Sequence, residues 1–321
     1  MKSLTREKTQ KLKDLALRHG FMGVGISKAE RLDDEARKLE EWLSNGYHGE
    51  MAYMTNHFDM RVDPTQLMPG AKSVVSLLYN YYPEMPDAGY QISSTHSESS
   101  PLESFKISKY AYGEDYHKVV RKKLKELVNE LKKEFGDFHG RVFVDSAPVM
   151  ERDWAKRSGL GWIGKNTLLI HPKKGSYFFL AEIILDVDFD YDQPIRDHCG
   201  TCTKCIDACP TEAISPEGYV LDGSKCISYL TIELKSKIPE AFRDKMEDWI
   251  FGCDICQDVC PWNRFSSPHQ EPAFEMKEKM KEITKNDWME ITADVFEELF
   301  TTSPIKRTGY EGLKRNILFA S

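Results

Sequence analysis

Eight cysteines, arranged in two runs, constrain this chain more than any other feature. The first run, residues 199–210, reads Cys-Gly-Thr-Cys-Thr-Lys-Cys-Ile-Asp-Ala-Cys-Pro. The second, residues 253–261, reads Cys-Asp-Ile-Cys-Gln-Asp-Val-Cys-Pro, with Cys226 ahead of it. The first run has the C-x2-C-x2-C-x3-C-P spacing of bacterial ferredoxins, in which three cysteines bind one [4Fe–4S] cluster and the fourth binds the other. Two such clusters would use all eight cysteines of the chain.

This exchange of the fourth ligand predicts which cysteines hold each cluster. The predicted ligands of cluster A are Cys199, Cys202, Cys205 and Cys260. The predicted ligands of cluster B are Cys209, Cys226, Cys253 and Cys256. Zinc usually takes C-x2-C pairs separated by a longer loop, and disulfide frameworks are typical of short secreted chains. Both alternatives are therefore disfavoured.

The length and charge of the chain narrow the class of protein. A chain of 321 residues suffices for two domains, and its net charge of -7 argues against nonspecific coating of nucleic acid. The polar first residues, the lack of a twin-arginine signal and the lack of a membrane-length apolar stretch predict a cytoplasmic protein.

Apolar periodicity predicts strands and helices that alternate ahead of the cysteines. The predicted strands cover 21–26, 73–79 and 141–145, and the predicted helices cover 29–44 and 115–135. Alternation of this kind indicates an α+β or α/β domain at 1–190. A ferredoxin-like two-cluster domain at 191–265 and a mostly helical segment at 266–321 would follow. The stretch 83–101, rich in serine and proline, predicts a long mobile loop or lid.

A glycine-rich stretch at 159–165 imitates two nucleotide-binding motifs. It matches G-x-G-x-x-G and nearly matches a Walker A loop. Both motifs require a strand before the glycines and a helix after them. Here the sequence predicts a helix before the glycines and a strand after them, so we reject both motifs. The glycines instead predict a turn in which the backbone approaches another group closely.

Several segments outside the cysteine runs carry a family resemblance. They are Arg-Val-Asp-Pro at 61–64, Tyr-Gly-Glu-Asp-Tyr-His at 112–117, Val-Asp-Ser-Ala-Pro at 144–148, the stretch 155–166, and Cys-Ile-Ser-Tyr-Leu-Thr at 226–231. Together with the first cysteine run, they resemble the epoxyqueuosine reductases. Longer members of that family carry a helical-repeat extension beyond the point where this sequence stops.

The resemblance implies a fold and a reaction. The first domain would be a nitroreductase-like, cobalamin-binding domain. The protein would deoxygenate epoxyqueuosine to queuosine in the tRNA anticodon loop, the last step of queuosine biosynthesis. Electrons would pass from a low-potential donor of the ferredoxin or flavodoxin type through two [4Fe–4S] clusters to the cobalamin. The sequence has no Asp-x-His-x-x-Gly motif, so we expect no protein histidine on cobalt.

The resemblance also implies individual site residues. Asp145 would contact the cofactor and donate a proton to the leaving oxygen. The alternative role for Asp145 is to cap a helix over 146–158. Further cofactor contacts would come from Arg61, Ser108, Asn166 and Ser228. His57 and His117 lie near matched segments and are expected to be structural histidines.

Basic side chains predict a surface for tRNA despite the acidic total charge. The helix at 118–133 carries Lys118, Arg121, Lys122, Lys123, Lys125, Lys132 and Lys133. The C-terminal stretch adds Lys306, Arg307, Lys314 and Arg315. For any single lysine, a solvated helix face is the simpler explanation. The excess of one sign of charge favours contact with phosphates.

Two other functions agree with parts of this sequence. A cytoplasmic reductive dehalogenase would combine a corrinoid with the same kind of clusters. A non-enzymatic electron carrier would need only the cysteine module, whereas most of this chain lies outside that module. Bound corrinoid in the purified protein would separate an enzyme from a carrier.

Overall fold

The computed structural model describes residues 2–84 and 104–321, so most of the predicted loop at 83–101 lies outside the described residues. Its helices are α1 Lys2–Arg18, α2 Asp33–Ser44, α3 Phe58–Val62, α4 Pro64–Leu67, α5 Tyr116–Phe135, α6 Glu151–Arg157, α7 Lys204–Asp207, α8 Ile255–Asp258, α9 Glu278–Lys281, α10 Lys285–Met289, α11 Ala293–Phe300 and α12 Gly309–Ala320. Its strands are β1 Gly23–Lys28, β2 Ser73–Asn80, β3 Lys106–Ile107, β4 Gly140–Phe143, β5 Trp162–Ile163, β6 Leu169–Ile170, β7 Phe178–Leu185 and β8 Trp249–Phe251. No helix within these residues is long and apolar enough to cross a membrane.

The first domain is built on a four-stranded sheet in the order β1-β2-β7-β4. Every neighbouring pair in this sheet is antiparallel, so the domain is α+β, and the α/β alternative with its parallel sheet is wrong. The reason lies in burial. Strands β2 and β7 are buried almost along their whole length, and this gives the continuous apolar pattern that is also typical of parallel strands.

Helices cover both faces of the sheet. Helix α5 lies on one face, with Val120, Leu124, Leu127 and Leu131 fully buried along one stripe, as the sequence predicted. Its first turn is fixed by Asp115, whose carboxylate accepts a hydrogen bond from the His117 amide. Helix α6 contacts β2 and β7. The loop between β4 and α6 therefore emerges where the sheet and two helices meet.

The C-terminal segment packs back onto the first domain, around residues 105–115. Trp288, Phe296 and Phe300 share a core with Phe105 and Ile107. Strand β3 pairs in parallel with β8, which ends shortly before the second cysteine run. The Asp115 amide, at the start of α5, donates to the carbonyl of Thr302 at 2.6 Å. These contacts attach the cysteine module and the C-terminal segment to the first domain.

Candidate active site beside the cysteine module

The glycine-rich stretch forms a hairpin that supports the first cysteine run. Helix α6 precedes the glycines and the β5–β6 hairpin begins among them, which confirms the order predicted from the sequence. A Cβ on Gly161 would lie 2.3 Å from the Ile170 carbonyl oxygen, so the close approach is between the two strands of the hairpin. From this hairpin Trp162 donates its indole N–H to Cys199 Sγ at 3.4 Å. Lys165 donates to the carbonyl oxygens of Gly200 and Cys202.

Four cysteines line one small cavity beside the hairpin. They are Cys199, Cys202, Cys205 and Cys260, the predicted ligands of cluster A. Burial, together with the charges of Cys260 and Cys199, raises the pKa of Cys205 to about 11. Four converging thiolates therefore need positive charge between them. The iron ions of a cluster supply such charge, so this arrangement fits an iron–sulfur cluster.

The other four cysteines influence one another in the same way. Burial raises the pKa of Cys256, and Cys226, Cys253 and Cys209 raise it further. The Cys209 thiol also accepts a hydrogen bond from the Ala213 amide at 3.4 Å. Within residues 2–84 and 104–321, no three His, Cys, Asp or Glu side chains are grouped as ligands of a single metal ion. In a [4Fe–4S] cluster four cysteines share four irons, so they need not converge on one ion.

Asp145 lies beyond the end of β4, not within the strand. The strand stops at Phe143, and Asp145 has a left-handed φ of 51°, which is uncommon for a residue with a side chain. Helix α6 begins only at Glu151, with Met150 at its N-cap position, so the capping role for Asp145 is wrong. Its amide instead donates to Glu151 Oε1 at 2.6 Å. Its side chain is 51% exposed.

Two neighbours from the first turn of α5 hold the Asp145 carboxylate. The Tyr116 hydroxyl donates to it, and His117 Nε2 lies 3.5 Å from its Oδ2. Burial opposes ionisation, but the hydrogen bonds from His117 and Tyr116 outweigh it and lower the pKa of Asp145. The carboxyl group is therefore ionised at neutral pH. It cannot supply a proton of its own.

His117 holds the proton that Asp145 lacks. Burial lowers its pKa, but hydrogen bonds to Asp115 and Asp145 prevail and raise it to about 9. His117 Nδ1 lies 2.7 Å from Asp115 Oδ1, and 14% of its side chain is exposed. The structural role predicted for His117 stays a prediction, and the raised pKa and the contact with Asp145 favour a charged ring beside the site. The sequence Asp-Tyr-His at 115–117 could have indicated the contact with Asp115, because it places an acidic residue two positions before the histidine.

A second cation at this site comes from the far end of the chain. Arg307 Nη1 lies 3.4 Å from His117 Nε2, and its charge helps to lower the pKa of Asp145. Burial, together with the charges of Glu233 and Asp145, raises the pKa of Tyr53 to about 12. We call the surroundings of Tyr53, Asp145, Glu233 and Arg307 the Asp145 recess. No local sequence signal indicated that Arg307 belongs to it.

The four other predicted cofactor residues divide into two pairs. Arg61 donates to the Tyr53 carbonyl at 3.0 Å, and its buried Nε has no partner among the described residues. Ser228 is half-buried and hydrogen-bonds to the Cys226 thiol. Arg61 thus lies beside Tyr53 at the recess, and Ser228 lies within the cysteine module.

Ser108 and Asn166 are each only 3% exposed, and their polar groups have partners inside the protein. The Ser108 hydroxyl donates to Asp254, next to Cys253. The Asn166 amide donates to the Cys256 carbonyl at 3.2 Å. Both residues support cysteine loops, and the direct cofactor contact predicted for them stays a prediction.

The basic side chains fall into two groups, those that are exposed on α5 and those that are paired within the protein. Lys118, Arg121, Lys122 and Lys125 are exposed along one face of α5, and Arg121 donates to Ser146 beside Asp145 at 2.8 Å. Lys123 pairs with Glu271 at 3.4 Å. Lys306 pairs with Glu297, and the guanidinium of Arg315 donates to backbone carbonyls. The N-terminal half of α5 is therefore the basic surface closest to the recess.

Two family models match this chain. The model described as "Epoxyqueuosine reductase QueG, DUF1730" matches residues 61–146, a range that contains Arg61, His117 and Asp145. The model described as "4Fe-4S double cluster binding domain" matches residues 198–263, which contain all eight cysteines. The cysteine module is therefore an iron–sulfur domain of the double-cluster type.

Relatives cover nearly the whole chain. The epoxyqueuosine reductase of Leadbetterella byssophila is 58% identical over 314 residues, which cover 98% of each chain. That of Vibrio cholerae is 41% identical, over 96% of this chain and 81% of its own.

Solved structures agree in fold. An epoxyqueuosine reductase crystallised with an epoxyqueuosine-modified tRNA-Tyr stem loop has a TM-score of 0.86 and 33% identity, over 98% of this chain and 80% of its own. The Bacillus subtilis enzyme, solved with an aspartate-bearing catalytic loop swung out of the active site, has a TM-score of 0.86 and 32% identity, over 98% and 81% of the two chains.

Proposed function

This chain belongs to the epoxyqueuosine reductase family, and we propose that it removes the epoxide oxygen of epoxyqueuosine in a tRNA anticodon loop to give queuosine. It is an oxidoreductase, as its named relatives are. The observation that carries the proposal is the ionised Asp145, half-exposed in a recess and held by a protonated His117.

The reaction requires electrons and protons in equal number. Breaking both C–O bonds of the epoxide and forming a C=C bond takes two electrons and two protons, and the oxygen leaves as water. The iron–sulfur module can deliver electrons one at a time at low potential. A proton must reach the oxygen as its bonds to carbon break, which is general acid catalysis.

We assign the delivery of this proton to His117 and Asp145 acting together. The raised pKa of His117 favours a protonated ring at neutral pH, whereas Asp145 is the more exposed of the two side chains. A proton passed from His117 Nε2 to Asp145 can be given to an oxygen bound in the recess. Tyr116, which donates to the same carboxylate, fixes its orientation. Asp145 is thus the final donor, as expected from the family resemblance, and His117 is the source.

We propose cobalamin as the group between clusters and substrate. When bound, it would supply a strongly reducing cobalt centre, and the two clusters would reduce it. The buried Nε of Arg61, which has no partner among the described residues, and the half-exposed carboxylate of Asp145 are consistent with a large polar ligand. Arg61 and Ser228 would contact it, whereas Ser108 and Asn166 would stabilise the loops that hold the clusters. We propose the two cysteine sets predicted above as the ligands of clusters A and B.

The tRNA would approach over the first half of α5. Lys118, Lys122 and Lys125 are exposed on the face that also carries Arg121, which contacts the Asp145 loop. A modified base is best presented from an unpaired loop, with its neighbouring phosphates held outside the pocket. The solved relative with a modified stem loop supports tRNA as the partner.

One experiment tests the proposal as a whole. The purified protein is incubated anaerobically with cobalamin, a chemical reductant and tRNA that contains epoxyqueuosine, and the nucleosides are analysed by mass spectrometry. We expect loss of one oxygen from the modified nucleoside, dependent on both cobalamin and intact cysteines. Unchanged epoxyqueuosine, in protein that holds its clusters and binds corrinoid, would contradict the proposal.

A further inference from the structure

A buried carboxyl group lies behind the active-site loop, and the mechanism above does not use it. Glu182 is at the centre of β7, where it pairs with Ser76 of β2 and Phe143 of β4. It is 0% exposed, and no donor group of the described residues reaches either of its oxygens. A carboxylate left in this position would be an uncompensated buried charge, which is strongly unfavourable.

The partner of Glu182 is a second carboxyl group. Glu151, from the first turn of α6, lies within hydrogen-bonding reach of it. Two carboxyl groups can form a hydrogen bond only if one of them carries a proton. Burial raises the pKa of Glu182 well above its usual value, and the charge of Glu151 raises it further. At neutral pH, Glu182 therefore holds a proton that it can donate to Glu151.

Glu151 connects this pair to the active site. Its Oε1 accepts the backbone N–H of Asp145 at 2.6 Å, directly where Asp145 has its left-handed φ of 51°. Such a conformation costs about 1–3 kcal/mol and persists only when the surroundings enforce it. The hydrogen bond turns the Asp145 amide inward, towards the sheet, while its side chain stays half-exposed.

We propose that Glu151 and Glu182 share a proton and together position Asp145, with Glu151 as the positioning residue and Glu182 as its buried anchor. This inference rests on the catalytic role proposed for Asp145. The charged groups that face the pair are Asp145 from the β4–α6 loop and His117 from α5. Loss of the shared proton would leave three carboxylates together, and the two buried ones would repel each other and loosen the loop.

The test compares two substitutions of Glu151. Glu151→Ala removes the acceptor, and it should lower kcat roughly tenfold or more with the KM for tRNA little changed, since a buried hydrogen bond is lost. Glu151→Gln keeps an oxygen acceptor for Asp145 and gains an N–H for Glu182, so it should restore most of the lost kcat. Asp153→Ala, in the same turn of α6, is the matched control for removing a carboxylate.

A second readout does not depend on turnover. Hydrogen–deuterium exchange of peptides covering 143–150 should accelerate in Glu151→Ala but not in Glu151→Gln or Asp153→Ala. Infrared difference spectra should contain a protonated carboxyl band that disappears in Glu182→Gln. Unchanged exchange in Glu151→Ala, or a missing carboxyl band in the wild-type protein, would overturn the inference. If Asp145→Asn proved fully active, the catalytic role of Asp145 would fail, while the exchange and infrared results would still decide whether the pair holds the loop.

Discussion

Replacing Glu182 with glutamine should make the protein more stable at high pH. The gain in the free energy of unfolding is set by the one proton that Glu182 takes up on folding. A carboxyl group whose pKa is raised on folding binds a proton in the native state that the unfolded chain has already released above about pH 4.5. The native state then binds more protons than the unfolded state, so its stability falls as pH rises through this window. Glutamine at 182 needs no proton, and it can donate its amide N–H to Glu151.

The magnitude is about 1.4 kcal/mol per pH unit for one proton taken up on folding. From pH 6 up to the pH at which folded Glu182 releases its proton, the wild-type protein should therefore lose stability at this rate relative to Glu182→Gln. The assay is anaerobic urea denaturation of the two cluster-loaded proteins, followed by tryptophan fluorescence at each pH. Glu40→Gln, at an exposed position of α2, is the control for the same substitution without a buried proton.

The difference in midpoint between Glu182→Gln and the wild-type protein should widen steadily with pH, whereas that for Glu40→Gln should stay constant. A constant difference for Glu182→Gln would mean that Glu182 is ionised in the folded protein. The shared proton, and with it the argument for how Asp145 is held, would then be refuted.

Four further predictions concern proton delivery, the clusters and tRNA binding. Asp145→Asn cannot pass on a proton, so turnover should fall about 10²–10⁴-fold while clusters and corrinoid binding survive; near-normal turnover would contradict its role. Because the pKa of His117 is raised to about 9, turnover should be lost as pH rises past about 9, and His117→Gln should be slow at every pH without that limb. Cys260→Ala should remove the paramagnetic signal of the cluster held by Cys199 and its neighbours, and loss of the other cluster instead would refute the ligand exchange. Lys122→Glu should raise the KM for tRNA and flatten its salt dependence, whereas Lys133→Glu, at the far end of α5, is the control that should not.

Sequence reasoning succeeded where the chemistry is local. The cysteine spacing predicted an iron–sulfur module, and the apolar stripe of α5 predicted a helix whose buried face is the one observed. It failed where the answer depends on distant pairing. The burial of β2 and β7 does not reveal that they run antiparallel, and no residue near Arg307 indicates that it reaches His117.

At Asp145 and Glu182, too, prediction from the sequence fails where the answer depends on distant residues. A family motif was enough to select Asp145, but its protonation depends on Tyr116 and His117, which lie about thirty residues earlier in the sequence. The sequence did not predict a functional role for Glu182. A single acidic residue in an apolar strand is equally typical of an exposed position at the edge of a sheet. Its partner Glu151 is on a different element, and only the packing of α6 on the sheet brings the two together.

The contact between Arg307 and His117 spans 190 positions of the chain, and this has a consequence for biosynthesis. A ribosome that adds 5–20 residues per second needs roughly 10–40 s to travel that distance. During this interval the nascent protein contains His117 but not yet Arg307. Phe105 and Ile107 likewise lack the apolar side chains of Trp288 and Phe300, which later pack against them. All eight cysteines emerge before that late segment, so iron and sulfide can reach them while the fold is still open. The order of synthesis thus favours loading the metal first and closing the catalytic centre last.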